Sequence, residues 1–170
     1  MKWIGALLFI ATTTLIGFEI SRTFHERPKQ IRQMKNALQI LEAEILYSQL
    51  PLPEAFETIS KQIPEPISTF FYNMHISVHE AGMDLYNVWD RCVNDLLETS
   101  SLSAIEGEII KQFGRTLGQH DFDHQQKQIH LTINHLDRQL EEARENQFKY
   151  GKMAKSLGVL CGLFVVLLLI

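Results

Sequence analysis

Residues 31–45 read IRQMKNALQILEAEI, and this segment sets the architecture that we expect for the whole chain. Its apolar side chains recur at intervals of three and four residues, and they are Ile31, Met34, Leu38, Leu41 and Ile45. Because an α-helix has about 3.6 residues per turn, this spacing puts all of them on one face. A single apolar face is typical of a helix that packs along another helix. The segment therefore predicts a helical bundle.

The same periodicity continues on the C-terminal side of this segment. Two proline-containing corners, at 50–53 and 63–66, separate helices, since the residue before a proline avoids the α region. The fifth predicted helix carries its apolar face on Leu102, Ile105, Ile109, Phe113 and Leu117. No segment alternates with period two for long enough to be a strand. We therefore predict an all-α fold, an antiparallel bundle of about six helices.

Both ends of the sequence are strongly apolar. Residues 157–170, LGVLCGLFVVLLLI, carry no charge, and residues 3–18 are apolar apart from three threonines. Fourteen residues rise about 21 Å as a helix. Extension back to Met153, with the Lys155 ammonium reaching the headgroups, brings the segment close to the thickness of a hydrocarbon core, about 30 Å. Both segments are predicted to cross a membrane; a signal peptide at the N-terminus and a buried core helix at the C-terminus are the competing interpretations.

This interpretation divides the chain into three parts. We predict transmembrane helices at 1–20 and 154–170 and a helical bundle at 21–153. Pro28 is expected to end any helix that enters from the N-terminal segment, because proline removes a backbone donor and its ring clashes with the preceding turn. The first helix of the bundle is then expected to begin at Lys29.

Basic residues flank both apolar segments on their inner sides. Between residues 22 and 35, five lysines and arginines accompany one acidic residue, and between residues 144 and 155 four accompany one. Lysine and arginine near the ends of spans stay on the cytoplasmic side, so the segment between the spans is expected to face the cytoplasm. The membrane-flanking residues that we single out are Arg22, Arg27, Lys149, Lys152 and Lys155.

The middle of the chain is acidic. The whole chain has a formal net charge of -4, but between residues 36 and 143 there are 17 acidic residues against 6 lysines and arginines, a net charge of -11. Such a surface repels nucleic acid and favours a basic partner protein. A solvated acidic face that only keeps the domain soluble explains the same charge. Cys92 and Cys161 are far apart and form no CxxC motif, which is typical of a reducing compartment.

One cluster contains residues of the types found in metal sites. His120 and His124 are one helical turn apart, and Asp121 offers a third ligand. Imidazole pairs at this spacing can hold zinc, but an HExxH motif is missing, and a catalytic site needs a third ligand and a general base. A helix that Asp121 caps and whose histidines are solvated explains the same residues. A metal-dependent enzyme built on His120 and His124 is the alternative to a non-enzymatic protein.

The sequence lacks other signatures of catalysis. Residues 114–118 lack the lysine and the preceding strand of a phosphate-binding loop, and there is no GxSxG motif. Glu42 and Glu44 lie on different sides of their helix, so they do not share a proton as a catalytic dyad does. Their carboxylates are instead available to a basic partner or to solvent. We therefore predict no catalytic residue and no cofactor, and energy from ATP has to come from another chain.

A set of short motifs resembles those of the stage III sporulation protein AB family of endospore-forming bacteria. They are Gly17-Phe18-Glu19, Arg27-Pro28, Gln30-Ile31-Arg32, Leu41-Glu42-Ala43-Glu44-Ile45, Tyr47, Pro51-Leu52-Pro53-Glu54-Ala55 and Lys149-Tyr150-Gly151-Lys152-Met153. The resemblance covers essentially the whole chain. That family is similar to the cytoplasmic domains of type II secretion and type IV pilus inner-membrane platform proteins. Those domains usually carry a glycine just before the Pro-Leu corner, where this chain has Gln49 and Leu50.

The resemblance implies a non-enzymatic platform in a secretion-like channel complex that links mother cell and forespore during endospore development. It implies a position in the outer forespore membrane, with the bundle in the mother-cell cytoplasm. There the cytoplasmic ATPase of the complex is expected to dock beside the other membrane proteins of the channel, and a homo-oligomer is compatible with this arrangement. The candidate protein-contact residues are Glu42, Glu44, Pro51, Leu52, Pro53 and Glu54. A passive membrane-anchored adaptor is the remaining alternative.

Overall fold

The computed structural model describes the backbone of residues 2–81, 84–118 and 122–169. Side chains are described for residues 22–78, 84–118 and 123–150 and for Thr12, Leu15, Met153 and Leu160. These residues form six α-helices and no strand. The helices are α1 (Lys2–Leu46), α2 (Leu52–Gln62), α3 (Ile67–Ala81), α4 (Leu85–Thr99), α5 (Ala104–Thr116) and α6 (Phe122–Leu169). The predicted all-α fold of about six helices is confirmed.

The first helix is continuous through Pro28, so the predicted break at Pro28 and restart at Lys29 are wrong. The proline ring holds φ near a helical value, and the cost of about 3 kcal/mol comes from the lost backbone donor and from the clash with the carbonyl of Phe24. Pro28 itself is buried. Burial of the long apolar face that follows it, at about 2 kcal/mol for each large side chain, outweighs this local cost.

Two compact units divide the chain, one formed by residues 1–28 and 141–170 and the other by residues 29–140. No helix in the described residues is long and apolar enough to cross a membrane. Most side chains of segments 1–20 and 154–170 lie outside the description. The two predicted spans, and the predicted boundaries at 20/21 and 153/154, therefore stay predictions.

In the unit 29–140, α1 and α6 run antiparallel. Lys35 of α1 forms an ion pair with Asp137 of α6. Two turns further along α1, Glu42 contacts His130, which lies two turns earlier on α6. The predicted apolar face of α1 is confirmed, because its five side chains, from Ile31 to Ile45, are each no more than 5% exposed.

An aromatic core joins α2, α3, α4 and α5. Trp89 of α4 is fully buried, and its ring centroid lies 5.1 Å from that of Phe70, 5.6 Å from that of Phe113 and 6.1 Å from that of Phe56. Its indole nitrogen donates a hydrogen bond to the backbone carbonyl of Ile110 at 2.9 Å. The buried polar group of the ring is thus satisfied, and one side chain connects four helices.

The predicted apolar face of the fifth helix is confirmed in part, because Leu102, Phe113 and Leu117 are buried. The predicted face is wrong at Ile105, which is 53% exposed, and Ile109 is only half-buried. The buried residues of the helix are Glu106, Gly107, Ile110, Phe113 and Gly114. A Cβ on Gly107 would lie 2.6 Å from Cδ1 of Leu97, so the bare glycine backbone of α5 packs directly against the Leu97 side chain of α4.

The buried Glu106 has a local structural role at the start of α5. Its carboxylate accepts a hydrogen bond from the backbone N–H of Ser103 at 2.6 Å and another from the Ser103 hydroxyl. This is the reciprocal half of a capping box, which satisfies a backbone donor that the helix leaves unpaired. The turn just before it is held to α1, because Gln30 Oε1 accepts a hydrogen bond from the backbone N–H of Ser101 at 2.7 Å.

Candidate docking corner and membrane-flanking residues

The corner between α1 and α2 is closed by an unusual backbone conformation at Gln49. This residue has φ of 50°, in the left-handed region that favours glycine. Immediately after it, the backbone N–H of Leu50 donates a hydrogen bond to the carbonyl of Glu44 at 3.2 Å. The position before the Pro-Leu corner therefore has a conformation that favours glycine although it is occupied by glutamine.

Contacts from α3 and from the turn between α5 and α6 hold this corner in place. Nδ1 of His75 lies 2.9 Å from the carbonyl oxygen of Pro53, and since a carbonyl only accepts, Nδ1 carries the proton and donates. A Cβ added to Gly118 would lie 3.4 Å from Cδ1 of Leu52. Gly118 itself has φ of 78°, which explains why glycine ends α5 at this position.

The corner presents an exposed aromatic side chain next to its acidic groups. Tyr47 is 83% exposed, Pro51 is exposed, and Glu44, Leu52, Pro53 and Glu54 are half-buried. We call Glu44, Tyr47 and Pro51–Glu54 the corner surface. Tyr47 was not among the predicted contact residues, although its position two residues past the buried Ile45 is a signal that it faces solvent. A large exposed tyrosine is a common anchor in protein interfaces.

Glu42, another predicted contact residue, is turned towards α6. Its Oε1 accepts a hydrogen bond from Nε2 of Gln126 at 2.9 Å and lies 3.0 Å from Nε2 of His130. Its side chain is 16% exposed. This geometry gives Glu42 a role inside the bundle, and its predicted contact with a partner stays a prediction.

A polar groove lies beside the corner, between α2 and α3. It encloses about 600 Å³ and its lining includes Glu57, Lys61, Tyr72 and His75. The Lys61 ammonium is 2.6 Å from Oε1 of Glu57, four residues earlier, so these opposite charges already satisfy each other. Because His75 also donates to Pro53, the groove adjoins the corner surface.

The described membrane-flanking residues of the unit 1–28 and 141–170 lie at one level of a helix pair. The rings of Phe24 and Tyr150 have centroids 6.1 Å apart, and Nε2 of Gln147 lies 2.6 Å from Nδ1 of His25. The later residue on α1, His25, contacts the earlier residue on α6, Gln147. The two helices are therefore antiparallel there. The predicted flanking residues Arg22, Arg27 and Lys149 each lie within two positions of one of these contacts in the sequence.

These flanking residues differ in exposure. Arg22 and Lys149 are exposed, whereas Arg27 is half-buried. The side chains of Lys152 and Lys155 lie outside the described residues.

The predicted metal alternative falls partly outside the described residues, because His120 and Asp121 are not among them. His124 is exposed, and its Nε2 lies 3.5 Å from the amide nitrogen of Gln128. Among the residues whose side chains the structure describes, no group of three or more histidine, cysteine, aspartate or glutamate residues is placed to hold a metal ion.

Cys92 has the environment of a structural cysteine. It is 3% exposed, and desolvation by burial raises the pKa of its thiol. Since the thiolate is the nucleophilic form, a raised pKa disfavours reactivity at neutral pH.

The fold and these surfaces define the class of the chain as a small all-α helical-bundle protein. The chain belongs to the stage III sporulation protein AB family, whose model matches residues 2–170. It is 42% identical over 169 residues to stage III sporulation protein AB of Bacillus subtilis (strain 168), with 99% of each chain covered. A solved structure of stage III sporulation protein AB is 40% identical and matches with a TM-score of 0.68, covering 73% of this chain and 98% of the other. Family membership gives the chain a role in sporulation.

Proposed function

We propose that this chain is a non-enzymatic membrane platform of the channel complex between mother cell and forespore. Segments 1–20 and 154–170 cross the outer forespore membrane, and the bundle lies in the mother-cell cytoplasm, where it docks the cytoplasmic ATPase of the complex. Membership of the family over residues 2–170 carries the sporulation part of this proposal. The basic flanks and the net charge of -11 between residues 36 and 143 support its orientation and its choice of partner.

The corner surface is the docking site in this proposal. Tyr47 supplies a rigid aromatic anchor that is 83% exposed, and Glu44, three residues earlier in the chain, adds negative charge. Its backbone is held by the bonds from Leu50 to Glu44 and from His75 to Pro53. A partner therefore meets a preorganised surface and loses little conformational entropy in ordering it.

Site-specific photo-crosslinking in sporulating cells tests this docking site. A photoreactive phenylalanine analogue replaces Tyr47 in the full chain, and the matched control carries it at Ile105, which is 53% exposed on α5. The proposal predicts a crosslink to the ATPase from position 47 and none from position 105. Equal crosslinking from both positions, or none from position 47, would contradict docking at the corner.

Substitutions test the chemistry of the same surface. Tyr47→Ala removes the anchor and is expected to weaken ATPase recruitment more than tenfold, the loss typical of an interface hot spot. Glu44→Lys reverses a charge in the corner, and Glu98→Lys makes the same change at an exposed position of α4. Loss of recruitment with Glu44→Lys but not with Glu98→Lys is expected. A passive adaptor needs no assembly with the other channel proteins, so its function would be the same in all three variants.

A further inference from the structure

The helix pair formed by residues 22–28 and 141–150 carries the exposed cations Arg22 and Lys149. Within the described part of the chain, no hydrogen bond or ion pair holds the Arg22 guanidinium, and the ammonium of Lys149 contacts only the ring of Tyr150, 5.2 Å from its centroid. The positive charge on this part of the surface is therefore available to an anion.

Large apolar side chains are exposed at the same level. Phe148 is 83% exposed, Met153 is 59% exposed and Tyr150 is 39% exposed. Burying a phenylalanine side chain is favourable, so an exposed ring forgoes that stabilisation. Aromatic side chains are enriched at the headgroup level of membranes, where one end meets the acyl chains and the other the water.

Contacts across the helix pair fix the relative positions of these groups. The ring contact between Phe24 and Tyr150 and the hydrogen bond between Gln147 and His25 tie α1 to α6 at this level. Arg22 lies less than one turn from Phe24, and Lys149 precedes Tyr150. We call Arg22, His25, Phe148, Lys149 and Tyr150 the basic-aromatic collar.

We propose that the basic-aromatic collar binds the phosphate headgroups of anionic lipids. The guanidinium of Arg22 offers paired donors to a phosphate, Lys149 adds a second cation, and Phe148 and Tyr150 enter the level of the glycerol and upper acyl chains. The inference rests on the proposed function, since it takes the apolar segments on either side of the collar to lie in the membrane. The exposed aromatic rings favour a lipid over an acidic protein segment, which would need only the charges.

Lipid selectivity of the full chain in vesicles tests the collar. The protein is reconstituted into phosphatidylcholine alone or phosphatidylcholine mixed with phosphatidylglycerol, insertion is measured by flotation, and native mass spectrometry counts the retained lipids. The test variant is Arg22→Ala with Lys149→Ala. The charge-matched control is Lys127→Ala with Arg138→Ala, two exposed residues of α6 in the unit 29–140.

The wild-type chain and the control pair are expected to retain phosphatidylglycerol preferentially. The collar variant is expected to lose that preference by about thirtyfold, because each basic residue at a membrane surface contributes about 1 kcal/mol. A wild-type chain that inserts without preference for phosphatidylglycerol would overturn the inference while leaving the membrane platform intact. Failure of the wild-type chain to float with either vesicle would instead contradict the proposed function. An unchanged lipid preference in the collar variant would also overturn the inference, because the two cations would then contribute nothing to lipid selection.

Discussion

Gly114 lies directly against the indole ring of Trp89, so that a Cβ on Gly114 would come 2.2 Å from Cδ1 of the ring. The ring has little freedom to move away. It is packed by phenylalanines from three other helices and fixed by its hydrogen bond to the carbonyl of Ile110. This contact sets the distance between α4 and α5.

Gly114→Ala is therefore expected to destabilise the bundle by about 3 kcal/mol, the upper part of the usual range for overpacking. Gly107→Ala is the matched control, because the nearest atom to its new Cβ is the flexible end of Leu97. There the alanine also gains about 1 kcal/mol of helix propensity, so a much smaller change is expected. Thermal unfolding of the detergent-solubilised chain, followed by circular dichroism, measures both. Equal losses in the two variants would mean that the rigidity of the Trp89 ring is unimportant.

Gln30→Ala is expected to destabilise the bundle by about 2 kcal/mol. The change removes the acceptor of the Ser101 backbone N–H and leaves that donor unsatisfied in a part-buried turn. Gln39→Ala, at an exposed position of the same helix, is the control and is expected to have little effect. Amide hydrogen exchange of Ser101 provides the specific readout, and faster exchange is expected only with Gln30→Ala. Unchanged exchange would refute this anchoring of the turn.

Gln49→Gly is expected to leave the fold intact and to stabilise it by up to about 1 kcal/mol. Glycine removes the strain of a left-handed conformation, about 1 to 2 kcal/mol for a residue with a Cβ, and part of that gain is lost to the greater flexibility of the unfolded chain. Ser48→Gly, one residue earlier, only increases the flexibility of the unfolded chain. This variant is therefore expected to be destabilised. A lower melting temperature for Gln49→Gly than for Ser48→Gly would contradict the left-handed corner.

Stability is expected to fall at alkaline pH in a manner that depends on Cys92. Burial raises the pKa of this thiol in the folded state, so the folded chain keeps its proton while the unfolded chain releases it above its ordinary pKa of about 8.5. The stabilisation is complete below that pH and is lost as the pH rises through the folded pKa, with a slope of at most about 1.4 kcal/mol per pH unit. Cys92→Ala should show a shallower loss between about pH 8 and pH 10. The same dependence of stability on pH in the wild-type chain and in Cys92→Ala would exclude a contribution from the Cys92 thiol.

The fold was predictable wherever apolar residues keep a strict helical period. The α1 face from Ile31 to Ile45 is buried as the spacing requires, because the geometry of the helix fixes which side chains share a face. The period failed on α5, where Gly107 and Gly114 form the contacts. Glycine carries no side chain for a hydropathy pattern to detect, so Ile105 and Ile109 were placed in the core instead. At Pro28 the tendency of proline to break a helix was overridden, because the helix that continues beyond it buries a long apolar face.

The candidate site was less predictable than the fold. The sequence pattern places Glu42 and Glu44 on different sides of their helix without indicating which of them meets a neighbouring helix, and the structure shows that Glu42 contacts His130 and Gln126 on α6. Which glutamate faces a neighbour depends on the register of two helices more than eighty residues apart in sequence, and a pattern within one helix does not contain that register. The exposure of Tyr47 likewise depends on how the corner turns at Gln49.

The central claim is that a bundle held by two membrane spans faces the mother-cell cytoplasm, and cysteine labelling tests it most directly. In a chain carrying Cys92→Ser and Cys161→Ser, Ser48→Cys places one thiol at an exposed corner position. Non-sporulating cells that express the chain in their cytoplasmic membrane are made into protoplasts and treated with a membrane-impermeant maleimide before or after lysis, and the membranes are washed with carbonate. The account predicts that the chain resists carbonate extraction and that position 48 is labelled only after lysis. Labelling of intact protoplasts, or release of the chain by carbonate, would contradict it.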